Sequence, residues 1–134
     1  MSEAPRETSR ALTQGIRVEA RSRYLFERSM PSDRHYAFEY TVRIQNVGSV
    51  AAQLIGRHWL VTDAKGDTQD VRGAGVVGEQ PILHPGQYFE YSSNVVLQTS
   101  HGSMRGSFVM HSVLGKTFEA AVAPFLLSLP HTLN

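Results

Sequence analysis

From Ile16 to about Leu127 apolar and polar residues alternate with a period of two, the spacing that turns one face of a strand inward and the other to water. The pattern is cleanest where Tyr36, Phe38, Tyr40, Val42 and Ile44 share one side and Glu39, Thr41 and Arg43 take the other. Similar alternation predicts strands from Ile16 to Phe26, Gln53 to Thr62, Thr68 to Arg72, Tyr88 to Tyr91 with Val95 to Leu97 extending or following it, Met104 to Met110, and Thr117 to Leu127. In the Gln53 to Thr62 segment Ile55, Trp59 and Val61 are expected to face the core. Arg57 then shares that side at its rim, and His58 and Leu60 face the opposite way. Turn formers separate the segments: Ser29 to Asp33, Asn46 to Ser49, Asp63 to Asp67 with Gly66 left-handed, a type II turn at Pro85 and Gly86, and Leu114 to Lys116. Pro124 fits the last strand only at an edge or a bulge. No segment sustains a helical period except Phe118 to Leu127, which Pro124 interrupts, and roughly seven short strands with regular turns predict an all-β fold, a two-sheet antiparallel sandwich without βαβ units.

Composition narrows the classes of function. At 134 residues and 14.9 kDa the chain fits one domain, read as residues 15–134 behind a flexible N-terminal tail over 1–14. The absence of cysteine excludes disulfides, thiolate zinc sites, iron-sulfur clusters and a cysteine nucleophile, and it fits a reducing cytoplasm, the expected location. The first residues mix Glu3 and Glu7 with Arg6 and Arg10, which is neither a secretory signal nor a membrane span. A formal charge of +1 supplies no field that would gather nucleic acid. The basic residues are nearly all arginine, with Lys65 and Lys116 the exceptions.

The least generic stretch runs from Arg57 to Pro81 and contains three glycines at GxGxxG spacing, Gly73, Gly75 and Gly78. With Arg57-His58-Trp59, Thr62-Asp63, Gly66 and the run Val71 to Pro81, the chain resembles the ApaG family. The likeness continues through Leu83, Pro85-Gly86, Phe89, Tyr91, Leu97, Thr99, Gly102, Met104, Gly106, Phe108 and Met110. Ser93-Asn94 and Ser100 depart from the family pattern, both at positions expected to lie in turns. The resemblance implies an immunoglobulin-like sandwich of the fibronectin type III kind. It also implies a genetic association with cobalt and magnesium tolerance, and protein contacts as the role of related eukaryotic domains.

A GxGxxG run can cradle a pyrophosphate when a strand precedes it and a helix opens after it. Here Pro81 closes any such helix, so the glycines are expected to form a strained loop or bulge crossing between the sheets. The alternative is an anion nest beside Arg72. Candidate ligand-binding residues are therefore Arg57, His58, Arg72, Gly73, Gly75, Gly78 and Glu79. His35, His58, His84, His101, His111 and His131 are not paired at metal-ligand spacing, and Asp63, Asp67 and Asp70 lack the EF-hand pattern, so neither a metal nor a cofactor is expected. No GxSxG elbow marks a nucleophile. Trp59 reads as the central aromatic of the sandwich. The expectation is a non-catalytic protein that binds another protein, or alternatively a phosphorylated small molecule through Gly73 to Gly78, with no nucleic acid and no membrane.

Overall fold

The computed structural model describes residues 7–130; residues 1–6 and 131–134, including His131, lie outside it. Nine strands follow in order: β1 (Thr8–Thr13), β2 (Ile16–Tyr24), β3 (Tyr36–Asn46), β4 (Ala52–Asp63), β5 (Thr68–Ala74), β6 (Ile82–Leu83), β7 (Tyr88–Leu97), β8 (His101–Ser112) and β9 (Thr117–Ser128). The segment between β2 and β3 makes two short 3-10 turns, Phe26–Arg28 and Pro31–Asp33. All pairings are antiparallel. One sheet has the order β1-β2-β3-β7 and the other β5-β4-β8-β9, with β6 paired to the start of β4. This is the predicted two-sheet, fibronectin type III-like sandwich.

The alternation read from the sequence builds the core directly. Phe38, Tyr40, Val42 and Ile44 of β3 point inward together with Val18 and Ala20 of β2, and meet Leu54, Trp59, Met104, Phe108, Met110 and Phe125 from the opposite sheet. Trp59 is 2% exposed. Its ring makes edge-on contacts with Tyr40, Phe108 and Phe125 at centroid distances of 5.3, 5.9 and 6.0 Å, the geometry aromatic quadrupoles favour.

Three expectations need correction. The tail assigned to residues 1–14 includes Thr8–Thr13, which pair with β2 from Thr8 opposite Arg21 to Thr13 opposite Ile16. Polar residues hide that strand from a hydrophobic reading because its pattern is exposed and half-buried only. Second, Ile55 does not share the core face with Trp59. The β4 to β8 register shifts between Leu54 and Gly56, so Ile55 is an extra residue that reverses the phase: Ala52 and Leu54 point inward before it, Trp59 and Val61 after it. Third, the strand from Ile16 stops at Tyr24, short of Phe26.

Pro124 lies on an edge strand and at an irregularity, both conditions its missing N–H imposes. The β8 to β9 register shifts where Arg105 faces Ala123 and Pro124, which moves the buried set from Ala120 and Val122 to Phe125 and Leu127.

The two flanks of the sandwich differ. On one, β9 packs against β1 and β2: the Ala121 N–H donates to Thr13 Oγ1 at 3.1 Å, and Ser22 Oγ donates to the Leu126 carbonyl at 2.6 Å. On the other, β5 and β7 end their sheets.

Candidate functional site

The stretch from Arg57 to Pro81 is the β4-β5 hairpin and its continuation to β6. Asp63 Oδ1 accepts the N–H groups of Lys65 and Asp67 at 2.8 and 3.0 Å, and Gly66 adopts the expected positive φ of 90°. Asp63 is thereby committed to shaping the turn.

Because the extra residue Ile55 puts Arg57 on the inner side with Trp59, its guanidinium runs beneath the paired strand. Nη1 donates to the carbonyls of Ala74 and Gly75 at 3.0 and 2.9 Å. Its path passes close to the first glycine of the motif: a Cβ at Gly73 would stand 2.7 Å from the guanidinium, which would have to shift. Gly75 is required for two reasons, a φ of 61° and a Cβ position that would collide with the Glu79 carbonyl. From there the chain makes a tight hairpin. Val76 and Glu79 exchange N–H to carbonyl bonds of 2.8 Å each, and Val77 and Gly78 between them have φ of 42° and 81°, the positive values of a type I′ turn. A β-branched residue in that region is strained, and Val77 is also exposed.

Contrary to the expectation of a loop or bulge crossing between the sheets, the glycine run stays along β4. The crossing comes later, at His84 to Gln87, where Gly86 has φ 90° and the Gln87 N–H donates to the His84 carbonyl at 2.9 Å. The amides of Gly75, Val76 and Glu79 are spent on the carbonyls of Ile55, Glu79 and Val76, and the nearby arginine faces carbonyl oxygens. An anion nest needs amides turned outward and free, which among the amides from Gly75 to Glu79 leaves those of Val77 and Gly78 at the turn.

The other named residues lie on the outer face of the same hairpin. His58 Nε2 sits 2.9 Å from Asp70 Oδ1, and Arg72 Nε lies 3.4 Å from the same oxygen. These are exposed contacts of a kind that contributes little stability. His58 and Arg72 thus share one face, Arg57 occupies the other, and Glu79 closes the turn at the end. The seven candidates do not converge on one concavity.

Inside the sandwich, Tyr91 Oη and Trp59 Nε1 are buried, and among the described residues neither has a partner at hydrogen-bond geometry. Burial raises the Tyr91 hydroxyl well above the usual phenol range; Tyr40 adds to the shift, while Trp59 and Arg57 nearby oppose it. A phenol whose folded pKa exceeds its unfolded value supports the fold fully below about pH 10 and loses that support as pH rises toward the folded value. Stability is therefore expected to fall by roughly 1 kcal/mol per pH unit above about pH 10 through this group. Urea unfolding across alkaline pH should show a shallower decline in Tyr91→Phe than in the wild type; equal slopes would contradict the assignment.

Two surfaces were not legible as sites in the sequence. A cleft of about 410 Å³ opens beside β5 and β7, lined by Asp33, Arg34, His35, Asp63, Asp67 and Gln69 among others. Among the described residues no group of three or more His, Cys, Asp or Glu side chains is placed to hold a metal ion. At the opposite end, the β3-β4 and β8-β9 loops come together as the Val113 N–H donates to the Ala51 carbonyl at 3.0 Å. Val113 and Leu114 at the tip are 68% and 78% exposed, with Val47 also exposed. A smaller cleft of about 160 Å³ lies beneath them, lined by Ile16, Val50, Ala52, Leu114 and Phe118 among others. Isolated apolar residues inside turn sequences carry no periodicity, so only the joining of the two loops brings them to one end of the sandwich. No helix among the described residues is long and apolar enough to cross a membrane.

These features define a fibronectin type III-like sandwich whose distinctive surfaces are a loop tip and open strand edges. The chain belongs to the ApaG domain family, whose sequence profile matches residues 26–112. It is 52% identical over 126 residues to Protein ApaG of Anaeromyxobacter sp. (strain K), covering 94% of this chain and 99% of that protein. Protein ApaG of Stenotrophomonas maltophilia (strain K279a) is 51% identical over 119 residues, 89% of this chain and 94% of that protein. The crystal structure of a Bordetella pertussis protein named ApaA superposes with a TM-score of 0.85 at 44% identity, covering 96% of this chain and all of that one.

Proposed function

We infer that this protein acts without catalysis, by binding another protein through the loops at the Val47, Val113 and Leu114 end. The observation that carries the reading is the exposed apolar tip formed where the β8-β9 turn is tied to the β3-β4 loop. Exposed apolar residues gathered on loops held by a rigid scaffold are the ordinary form of a contact surface. On this reading the family's link with cobalt and magnesium tolerance runs through the partner protein.

The test is affinity capture from the native cell with three baits: the wild type, Val113→Asp/Leu114→Asp, and Val77→Asp in the glycine hairpin. Both altered sites are exposed turns, so circular dichroism melts should stay close to the wild type. The partner is expected on the wild type and Val77→Asp and absent from the tip variant. Retention by the tip variant, or loss with Val77→Asp, would overturn the assignment. Heat released with millimolar pyrophosphate in calorimetry would favour a phosphorylated ligand instead.

A further inference from the structure

The β5 strand has an unusual edge. Its ladder with β4 is bracketed by Gly75 N–H to the Ile55 carbonyl at 2.8 Å and by Asp63 N–H to the Asp67 carbonyl at 2.9 Å. Hydrogen-bonded and non-hydrogen-bonded pairs alternate along an antiparallel ladder. In the observed register Gln69, Val71 and Gly73 therefore turn their main-chain groups toward β4, while Thr68, Asp70 and Arg72 turn theirs outward. Among the described residues no backbone group pairs with that outer row, since β5 ends its sheet. Neither sheet covers the strand, and Val71 on its inner side is exposed.

Edges are normally protected by charges that repel a second strand. Here the outward residues carry opposite charges, Asp70 and Arg72, placed symmetrically about Val71. We propose that β5 pairs antiparallel with β5 of a second copy of this chain, about a two-fold axis at Val71, so that Asp70 of each copy faces Arg72 of the other. Charge selects this register. An axis at Asp70 or at Arg72 sets like charges face to face, and an odd shift sets outward groups against inward ones, leaving them unbonded. In the chosen register the two Val71 side chains meet, which covers apolar surface left bare in the monomer. The runs β5-β4-β8-β9 of the two copies become one continuous sheet.

A seven-residue edge buries less than the roughly 1,000 Å² of a lasting interface, so the association is transient and needs high protein concentration to be seen. The inference uses a flank distant in the fold from the loop tip and is independent of the partner reading above. An extended peptide of another protein is the competing occupant for the same edge.

Sedimentation equilibrium of the full chain up to about 1 mM is expected to show a reversible dimer. Arg72→Asp and Asp70→Arg should each weaken it about tenfold or more, because both symmetry-related pairs become repulsive. An equimolar mixture of the two variants should associate as well as the wild type, since every carboxylate again faces a guanidinium; misfolding could not produce that rescue. A wild type that stays monomeric, a dimer indifferent to either substitution, or a mixture no better than its components would overturn the proposal.

Discussion

Truncating Trp59 to alanine is expected to remove about 3–5 kcal/mol of folding stability, among the largest losses from any single core position. The side chain is almost fully buried and bridges the sheets, touching Tyr40 on one side and Phe108 and Phe125 on the other. Close-packed surroundings collapse only partly around a void of that size, so the lost contacts are not recovered. A small domain commonly holds about 5–15 kcal/mol in total, which leaves this variant near the limit of folding at all. Trp59→Phe should fare much better, losing less than about 2 kcal/mol. It keeps an aromatic face for Tyr40 and removes an indole N–H that is buried without a partner. Urea unfolding followed by circular dichroism measures both, and equal losses in the two variants would show that the orphan donor and the retained ring make no difference.

Asn46→Leu is the second large effect, about 3 kcal/mol, and it acts through polar groups rather than volume. Asn46 is 1% exposed, at the end of β3. Its side-chain amide donates to the carbonyls of Val50 and Leu83 at 2.8 and 2.9 Å, and its carbonyl oxygen accepts the Gly48 N–H at 3.0 Å. One residue thus fastens the β3-β4 loop to itself and to β6. Leucine fills the space but leaves those three backbone groups unpaired, each a penalty of about 1–3 kcal/mol where water cannot reach. Asn46→Asp should lose at least as much, because a carboxylate accepts and cannot donate to two carbonyls. The expected signature is a lower midpoint in urea with an unchanged slope, joined by weaker partner capture, since the loop that supports Val47 and receives Val113 loses its tether.

Stability and contact surface are linked through such ties. The loop tip can expose Val113 and Leu114 because Asn46 and the Ala51 carbonyl hold the loops beneath them. The two flanks follow different rules: among the described residues β9 packs against β1 and β2 on one, while β5 and β7 end their sheets on the other. A strand edge that is open on one flank alone directs sheet extension to that flank.

The period-two alternation was enough to put Phe38, Tyr40, Val42 and Ile44 inside, because side-chain direction along a strand depends only on local backbone geometry; the turn spacing made the strands an antiparallel sandwich, and the buried tryptophan was expected from that fold class. The turns at Gly66, Gly86 and Gly115 were equally legible, since positive φ is a property of the residue. Folding in three dimensions settled what depends on residues far apart. An extra residue at Ile55 reverses the phase of β4 and sends Arg57 under Gly73, which no local pattern could show because a register shift is defined only against the partner strand. The same holds for the polar strand Thr8–Thr13, which acquires its conformation from β2, and for the apolar tip, whose members are separated in sequence and meet only when the loops are tied together.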